Sequence, residues 1–197
     1  MNAQRNIWKK LGISFALALL LISCAPKPQS SDYFKSGKSL VLPDSARVKA
    51  VVFVSQGDAR EKLSAVLFAV PDKRYRLELS GIFGLSAASI IWKKDGWKVV
   101  FPQNERYMEG AGDCVSIPGY GNVDIHKFAV LFFGQRVDAL DCGEWNVFKL
   151  EYAENAVLAF LENDSLKLEI KNIDSKAQWG SGVWNLNVPE KYVRLTR

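Results

Sequence analysis

Few side chains in this sequence are of the types that carry chemistry. The 197 residues include three cysteines and one histidine, and the cysteines lie far apart, at Cys24, Cys114 and Cys142. A zinc site uses about four ligands, most often cysteine and histidine, which His126 and three scattered thiols do not supply. The sequence contains neither a Gly-x-Ser-x-Gly motif nor a phosphate-binding glycine loop with its lysine. We therefore predict a non-catalytic binding protein with no metal and no cofactor.

Cys24 stands at the end of a short export signal. Arg5, Lys9 and Lys10 form a basic start, and residues 11–22 form an apolar run too short to span a bilayer. The order Leu21-Ile22-Ser23-Cys24 matches a lipobox, in which the thiol is diacylated and the chain is cut before it. We predict that residues 1–23 are a lipoprotein signal peptide. An ordinary signal peptide, or a core helix that ends in cysteine, is the alternative.

Residues 24–45 are predicted to be the lipidated cysteine and a flexible tether. Their Pro, Ser, Lys and Gly content is typical of linkers, which at this length reach about 25 Å as a coil and about 70 Å when stretched. Several acyl chains hold a protein on a membrane almost irreversibly. Ala25 is not the aspartate that often signals inner-membrane retention. We therefore expect a lipid-anchored protein on the periplasmic face of the outer membrane.

Cys114 and Cys142 are predicted to form a disulfide bond. In an oxidising compartment two thiols are more often bonded than free. Two separate free thiols are the alternative, because the sequence does not show whether the Cα atoms lie within bonding range.

The charge of the chain gives no indication of nucleic-acid binding. Removing the three basic residues of the signal lowers the formal net charge from +5 to +2, and no basic stripe follows. At 48% hydrophobic residues, the rest can bury one core. Residues 46–197 are therefore predicted to be one domain and a monomer.

Short alternating runs separated by turn residues predict about nine antiparallel strands in meander order, the last over Trp184–Val188. The pattern breaks between Gly110 and Gly121. Between Asn122 and Gly134 we predict a helix, with Asp124 as N-cap and four apolar residues at helical spacing: Ile125, Phe128, Ala129 and Phe132. A sheet this long must curl, and one short helix cannot cover it. The fold is therefore predicted to be mainly β, an unclosed half β-barrel of curved antiparallel sheet with a hydrophobic cavity and a helical lid.

Several segments occur in an order that resembles the LolA/LolB superfamily of lipoprotein-sorting proteins. The resemblance covers about residues 47–189. Its motifs are Lys73–Leu79 with Gly81–Leu85, Trp97–Phe101 with Arg106-Tyr107, Ile125–Gly134, Leu166–Ile170, and an ending, Trp184–Pro189, that is more similar to the periplasmic carrier LolA.

This resemblance implies that the cavity holds the acyl chains of a lipoprotein or lipid cargo, passed on by a soluble LolA-like carrier. Four residues are assigned to the cavity and its lid: Tyr75, Trp97, Phe128 and Phe132. The family also has an apolar loop that touches the membrane during delivery. That role falls on Phe83 with Ile82 beside it, and the alternative is that both fold back into the core.

Two other functions stay open at this point. Five tryptophans could line a sugar-binding groove, although aromatic residues in a curled sheet are more often core or cavity wall: Trp92, Trp97, Trp145, Trp179 and Trp184. A purely structural envelope lipoprotein, whose hollow is filled by its own side chains, is the third possibility.

Overall fold

In the computed structural model, one ten-stranded sheet takes up most of the residues that the structure describes, which are 42–71, 73–117, 121–140, 142, 149–161 and 164–195. The strands are β1 (Ala46–Gln56), β2 (Ala59–Val70), β3 (Arg74–Ser80), β4 (Ser86–Lys93), β5 (Gly96–Phe101), β6 (Arg106–Gly110), β7 (Cys114–Ile117), β8 (Gly121–Asp124), β9 (Lys149–Tyr152), β10 (Ala156–Leu161), β11 (Asp164–Asp174) and β12 (Val193–Arg194). The α-helix is α1 (Ile125–Leu131), and short 3-10 helices cover Ile82–Gly84, Pro102–Asn104 and Ser181–Trp184.

The strand order across the sheet is β12-β6-β5-β4-β3-β2-β1-β11-β10-β9, while β7 and β8 form a separate hairpin. Two meanders therefore meet where β1 pairs with β11. The sheet is curved and does not close on itself, so the predicted mainly-β, unclosed fold with one helix is confirmed. The signal peptide, Cys24 and most of the tether lie outside the described residues and stay predictions.

Alternation along the strands gives the sheet two chemically different faces. In β1, Ala46, Val48 and Ala50 are buried, while Arg47 and Lys49 between them point to the opposite side. Successive strand residues point to opposite faces, so one face carries the apolar core and the other is more polar. We call the core side, against which α1 packs, the inner face.

The helix forms where the sequence predicts it, with shorter bounds. The Asp124 carboxylate accepts hydrogen bonds from the backbone N–H groups of His126 at 2.9 Å and Lys127 at 3.0 Å, which satisfies donors that the first turn leaves free. At the other end the Gly134 N–H donates to the Leu131 carbonyl at 3.0 Å. Gly134 has φ 72°, a left-handed conformation that glycine adopts without steric penalty. None of the helices in the described ranges is long and apolar enough to cross a membrane.

Three details of the predicted sheet are wrong. The break between Gly110 and Gly121 contains β7, which pairs with β8 at the start of the predicted helix segment, and β12 runs parallel to β6. Trp184–Val188 is not a strand: the Ser181–Trp184 helix is followed by chain outside the ladder. The Arg76 guanidinium donates to the carbonyls of Val183 and Asn185 at 2.7 and 2.9 Å. These hydrogen bonds hold the segment against the more polar side of the sheet, which we call the outer face.

Candidate functional site

The four residues assigned to a cavity and its lid come together between the inner face and α1. Tyr75, Trp97 and Phe132 are almost fully buried in the interior cluster, and Phe128 packs against it with part of its side chain exposed. The rings of Phe128 and Phe132 meet edge to face, with centroids 5.5 Å apart. Their placement agrees with a helix that covers an apolar interior. Their role in holding acyl chains stays a prediction.

Large side chains fill the described interior. Tyr75 stacks on Trp92 with centroids 5.2 Å apart, and Trp92 is the cross-strand neighbour of Trp97. Phe132 and Phe133 are also fully buried. Protein interiors are close-packed, so an acyl chain would enter this space only if α1 moved away from the sheet.

A disulfide bond closes the segment that carries α1. Cys114 and Cys142 are joined, with Cα atoms 6.0 Å apart and a sequence separation of 28, which confirms the predicted pairing. The Cys142 N–H donates to the Asn122 carbonyl at 3.3 Å. The Trp97 indole N–H donates to the Cys114 carbonyl at 3.0 Å. The closed loop is therefore fixed to the inner face through Trp97.

Polar contacts hold both ends of the lid. After α1, the Tyr152 phenol accepts from the Val137 N–H at 2.9 Å and donates to the Val137 carbonyl at 2.8 Å. Burial is the main reason that the pKa of Tyr152 is raised. In the first turn of α1, His126 Nε2 lies 3.0 Å from an Asp113 carboxylate oxygen at the surface. Within the described ranges no three His, Cys, Asp or Glu side chains are grouped to hold a metal ion.

The turn between β3 and β4 exposes three large apolar side chains. Ile82 is 73% exposed, Phe83 is 96% exposed and Leu85 is 61% exposed; we call them the apolar tip. Both residues that the sequence singled out are therefore at the surface, and the folded-back alternative is not observed. The sequence does not single out Leu85, because it directly precedes the apolar residues of β4.

Backbone hydrogen bonds shape the apolar tip. The Gly81 N–H donates to the Leu85 carbonyl at 2.9 Å, and the Gly84 N–H donates to the Gly81 carbonyl at 3.2 Å. Phe83 has φ 61°, a left-handed conformation that costs a non-glycine residue roughly 1–2 kcal/mol. Gly81 neighbours the interior residue Leu63: a Cβ atom built on Gly81 would lie 3.9 Å from the Leu63 side chain. The tip thus stands beside one edge of the interior.

The tryptophans offer little ring surface to a sugar. Trp92, Trp97 and Trp184 are almost fully buried. Trp179 is half-buried and packs edge to face on Phe68 and on Trp184. Trp145 lies outside the described residues. Stacking on a sugar needs an open aromatic face, so the described tryptophans do not favour the sugar-binding alternative.

Comparisons with known proteins give similarity to solved structures only. No family model and no curated protein matches the sequence. An uncharacterized conserved protein from Thermus thermophilus is 11% identical, with a TM-score of 0.44, over 86% of this chain and 98% of that one. A LolA superfamily protein from Nitrosomonas europaea is 9% identical, with a TM-score of 0.45, over 81% of this chain and 96% of that one. Similarities this low do not place the chain in a family, and a LolB-type role stays a prediction.

Proposed function

We propose that this protein is a lipid-anchored envelope protein that takes up acyl chains beneath α1 and delivers them to a membrane through the apolar tip. The observation that carries the proposal is the exposure of Ile82, Phe83 and Leu85 on a turn, where polar residues are the norm. Grouped exposed apolar residues mark sites of membrane or protein contact. The tip stands beside Leu63, so cargo that left the interior there would meet the membrane at once.

The free energy that the apolar tip gains on burial in a membrane is of the size expected for a transient contact. Full burial of a Phe, Ile or Leu side chain is worth roughly 1.5–3 kcal/mol, and burial in a membrane interface is partial. Three such side chains bind a bilayer reversibly, while the lipid on Cys24 supplies the permanent attachment in this proposal. The tip is then free to engage and leave the membrane with each delivery.

The cargo side of the proposal rests on the chemistry of the interior and on the sequence resemblance to lipoprotein-sorting proteins. Acyl chains are wholly apolar, and the surfaces that α1 and the inner face turn towards each other are apolar too. Cargo in this scheme is an acylated lipoprotein or lipid received from a soluble LolA-like carrier. Entry needs α1 to swing away on its disulfide-closed loop, and the protein performs no chemical step.

Phe83→Glu is expected to leave folding intact and to impair delivery. The side chain is 96% exposed, so the unfolding temperature should change little. Losing one apolar membrane contact and adding a charge should slow transfer of a fluorescent acylated peptide to liposomes by about tenfold or more. Val193→Glu is the matched control, because Val193 is 63% exposed at the sheet edge. Equal losses in the two variants, or a large drop in unfolding temperature for Phe83→Glu, would contradict the proposal.

Cys24→Ala is expected to abolish lipid attachment. Without the thiol no diacyl group can be added, and the precursor should stay in the inner membrane with residues 1–23 uncleaved. Metabolic labelling with radioactive palmitate followed by membrane fractionation measures both effects. Palmitate incorporated into the variant would contradict the proposed anchor. Recovery of the wild-type protein only with inner membranes would contradict the proposed location.

The filled interior favours a second candidate, a structural envelope lipoprotein that carries no cargo. Tyr75, Trp92 and Phe132 occupy the space that acyl chains would need. Titration of the folded protein with a fluorescent fatty acid separates the two candidates. Saturable binding supports the cargo proposal, and its absence supports the structural one.

A further inference from the structure

A groove with a volume of about 530 Å³ lies on the outer face, between β4–β6 and the C-terminal segment, by which we mean residues 175–195. The groove is largely open to solvent, and its volume falls in the range of small-molecule sites. Leu186 and the small exposed edges of Ile91 and Trp184, each 7% exposed, form an apolar side, and charged residues form the other side. Because the groove combines residues far apart in the chain, it has no local sequence signal.

The groove and the interior lie on opposite faces of the sheet. Ile91 and Lys98 are cross-strand partners on the outer face, whereas the adjacent pair, Trp92 and Trp97, belongs to the interior cluster. Trp97 also reaches the groove lining. Trp97 is thus the residue named for both regions, while the other groove residues named here lie outside the interior cluster, and the inference does not depend on the proposed function.

Contacts with β3 fix the apolar side of the groove. The Arg76 guanidinium donates to the carbonyls of Val183 and Asn185 at 2.7 and 2.9 Å. The Arg74 guanidinium lies 4.3 Å from the centre of the Trp184 ring, within the range of a cation–π interaction. A wall that is already ordered loses little conformational entropy on binding, which favours affinity.

Positive charge exceeds negative charge on the other side of the groove. Lys98 Nζ lies 3.2 Å from one Glu109 carboxylate oxygen, and Arg194 Nη2 lies 3.7 Å from the other. One carboxylate therefore faces two cations. Lys93 also lines the groove and forms no ion pair with any other described residue, while Asp95 adds one more acid. Three cations against two acids leave a surplus of one positive charge.

We propose that this groove binds a small amphipathic anion. The apolar body of the ligand lies along Ile91, Trp184 and Leu186, and its carboxylate, sulfonate or phosphate reaches Lys93, Lys98 and Arg194. Charge-assisted hydrogen bonds supply the selectivity for an anion. Small inorganic anions make no contact with the apolar side and should therefore bind more weakly.

Calorimetric titration of the full chain in phosphatidylcholine nanodiscs, with empty nanodiscs as reference, tests this site. Naphthalene-2-sulfonate is the probe, naphthalene-2-methanol is its neutral counterpart and methanesulfonate is its small counterpart. We expect one saturable site for the probe and about tenfold weaker binding of each counterpart. Equal binding of the neutral counterpart, or equal binding of the small counterpart, would overturn the proposal.

Two substitutions should change the affinity in opposite directions. Lys93→Gln removes a cation without breaking an ion pair and should weaken probe binding several-fold. Glu109→Gln releases Lys98 and Arg194 and should strengthen it. Lys49→Gln, an exposed strand lysine outside the groove, is the matched control and should have no effect. Circular dichroism verifies that each variant is folded. Affinities that do not move, or that move in the same direction for Lys93→Gln and Glu109→Gln, would overturn the proposal.

Discussion

Replacing Cys114 and Cys142 together with serine is expected to lower the free energy of unfolding by about 3–4 kcal/mol. The bond closes a loop with a sequence separation of 28 residues, and the chain-entropy model gives a loss of this size when such a loop opens in the unfolded state. Because α1 lies inside the loop, its amides should also exchange with solvent faster. Urea denaturation and hydrogen exchange measure the two effects.

A reducing agent provides the control for the disulfide prediction. It should destabilise the unmodified protein to the level of the double serine variant and should not destabilise that variant further. Two results would contradict the prediction: a protein as stable reduced as oxidised, or an intact mass showing two free thiols in material exported to the periplasm.

The parts of the fold that follow from the sequence depend on local patterns. In β1 the β-branched residues between Val48 and Val54 are enough to predict a strand. At α1 the predicted cap, Asp124, binds the first turn as expected. Both signals act within a few residues, where propensity and burial agree.

The parts that the sequence did not predict depend on contacts between distant residues. Trp184, Leu186 and Val188 alternate as a strand would, and nothing local shows that Arg76 donates to the carbonyls beside them. The parallel pairing of Val193 with Arg106 brings together residues 87 positions apart. The outer groove depends on both arrangements, so it could be found only in the structure.

The apolar tip lies between these two cases. The sequence shows two apolar residues in a turn, Ile82 and Phe83, but such residues pack inwards as readily as they protrude. The outcome depends on the backbone: left-handed conformations at two successive residues, Phe83 and Gly84, turn the chain. Hydrogen bonds from Gly81 and Gly84 close that turn without using side chains, which leaves the side chains of the tip pointing into solvent.

Phe132→Ala is expected to lower the free energy of unfolding by about 3–5 kcal/mol, because a fully buried aromatic ring is replaced by a cavity that the surrounding core refills only in part. Phe128→Ala is the matched control, because Phe128 lies on α1 and Phe132 directly follows that helix. Its ring meets that of Phe132 but is partly exposed, so we expect a smaller loss of about 1–2 kcal/mol. Urea denaturation measures both values, and equal losses would show that Phe132 does not carry the packing of α1.

The same pair of variants separates the cargo proposal from the structural one. If acyl chains bind beneath α1, the space left by Phe132→Ala lies where cargo must enter, and a fluorescent fatty acid should bind the variant more tightly than it binds the unmodified protein. Phe128→Ala removes apolar contact from the lid without opening the interior, so it should weaken binding. If the interior is only a packed core, both variants lose stability and neither binds the fatty acid saturably. Under the cargo proposal, therefore, the variant that loses more stability is the one that gains affinity.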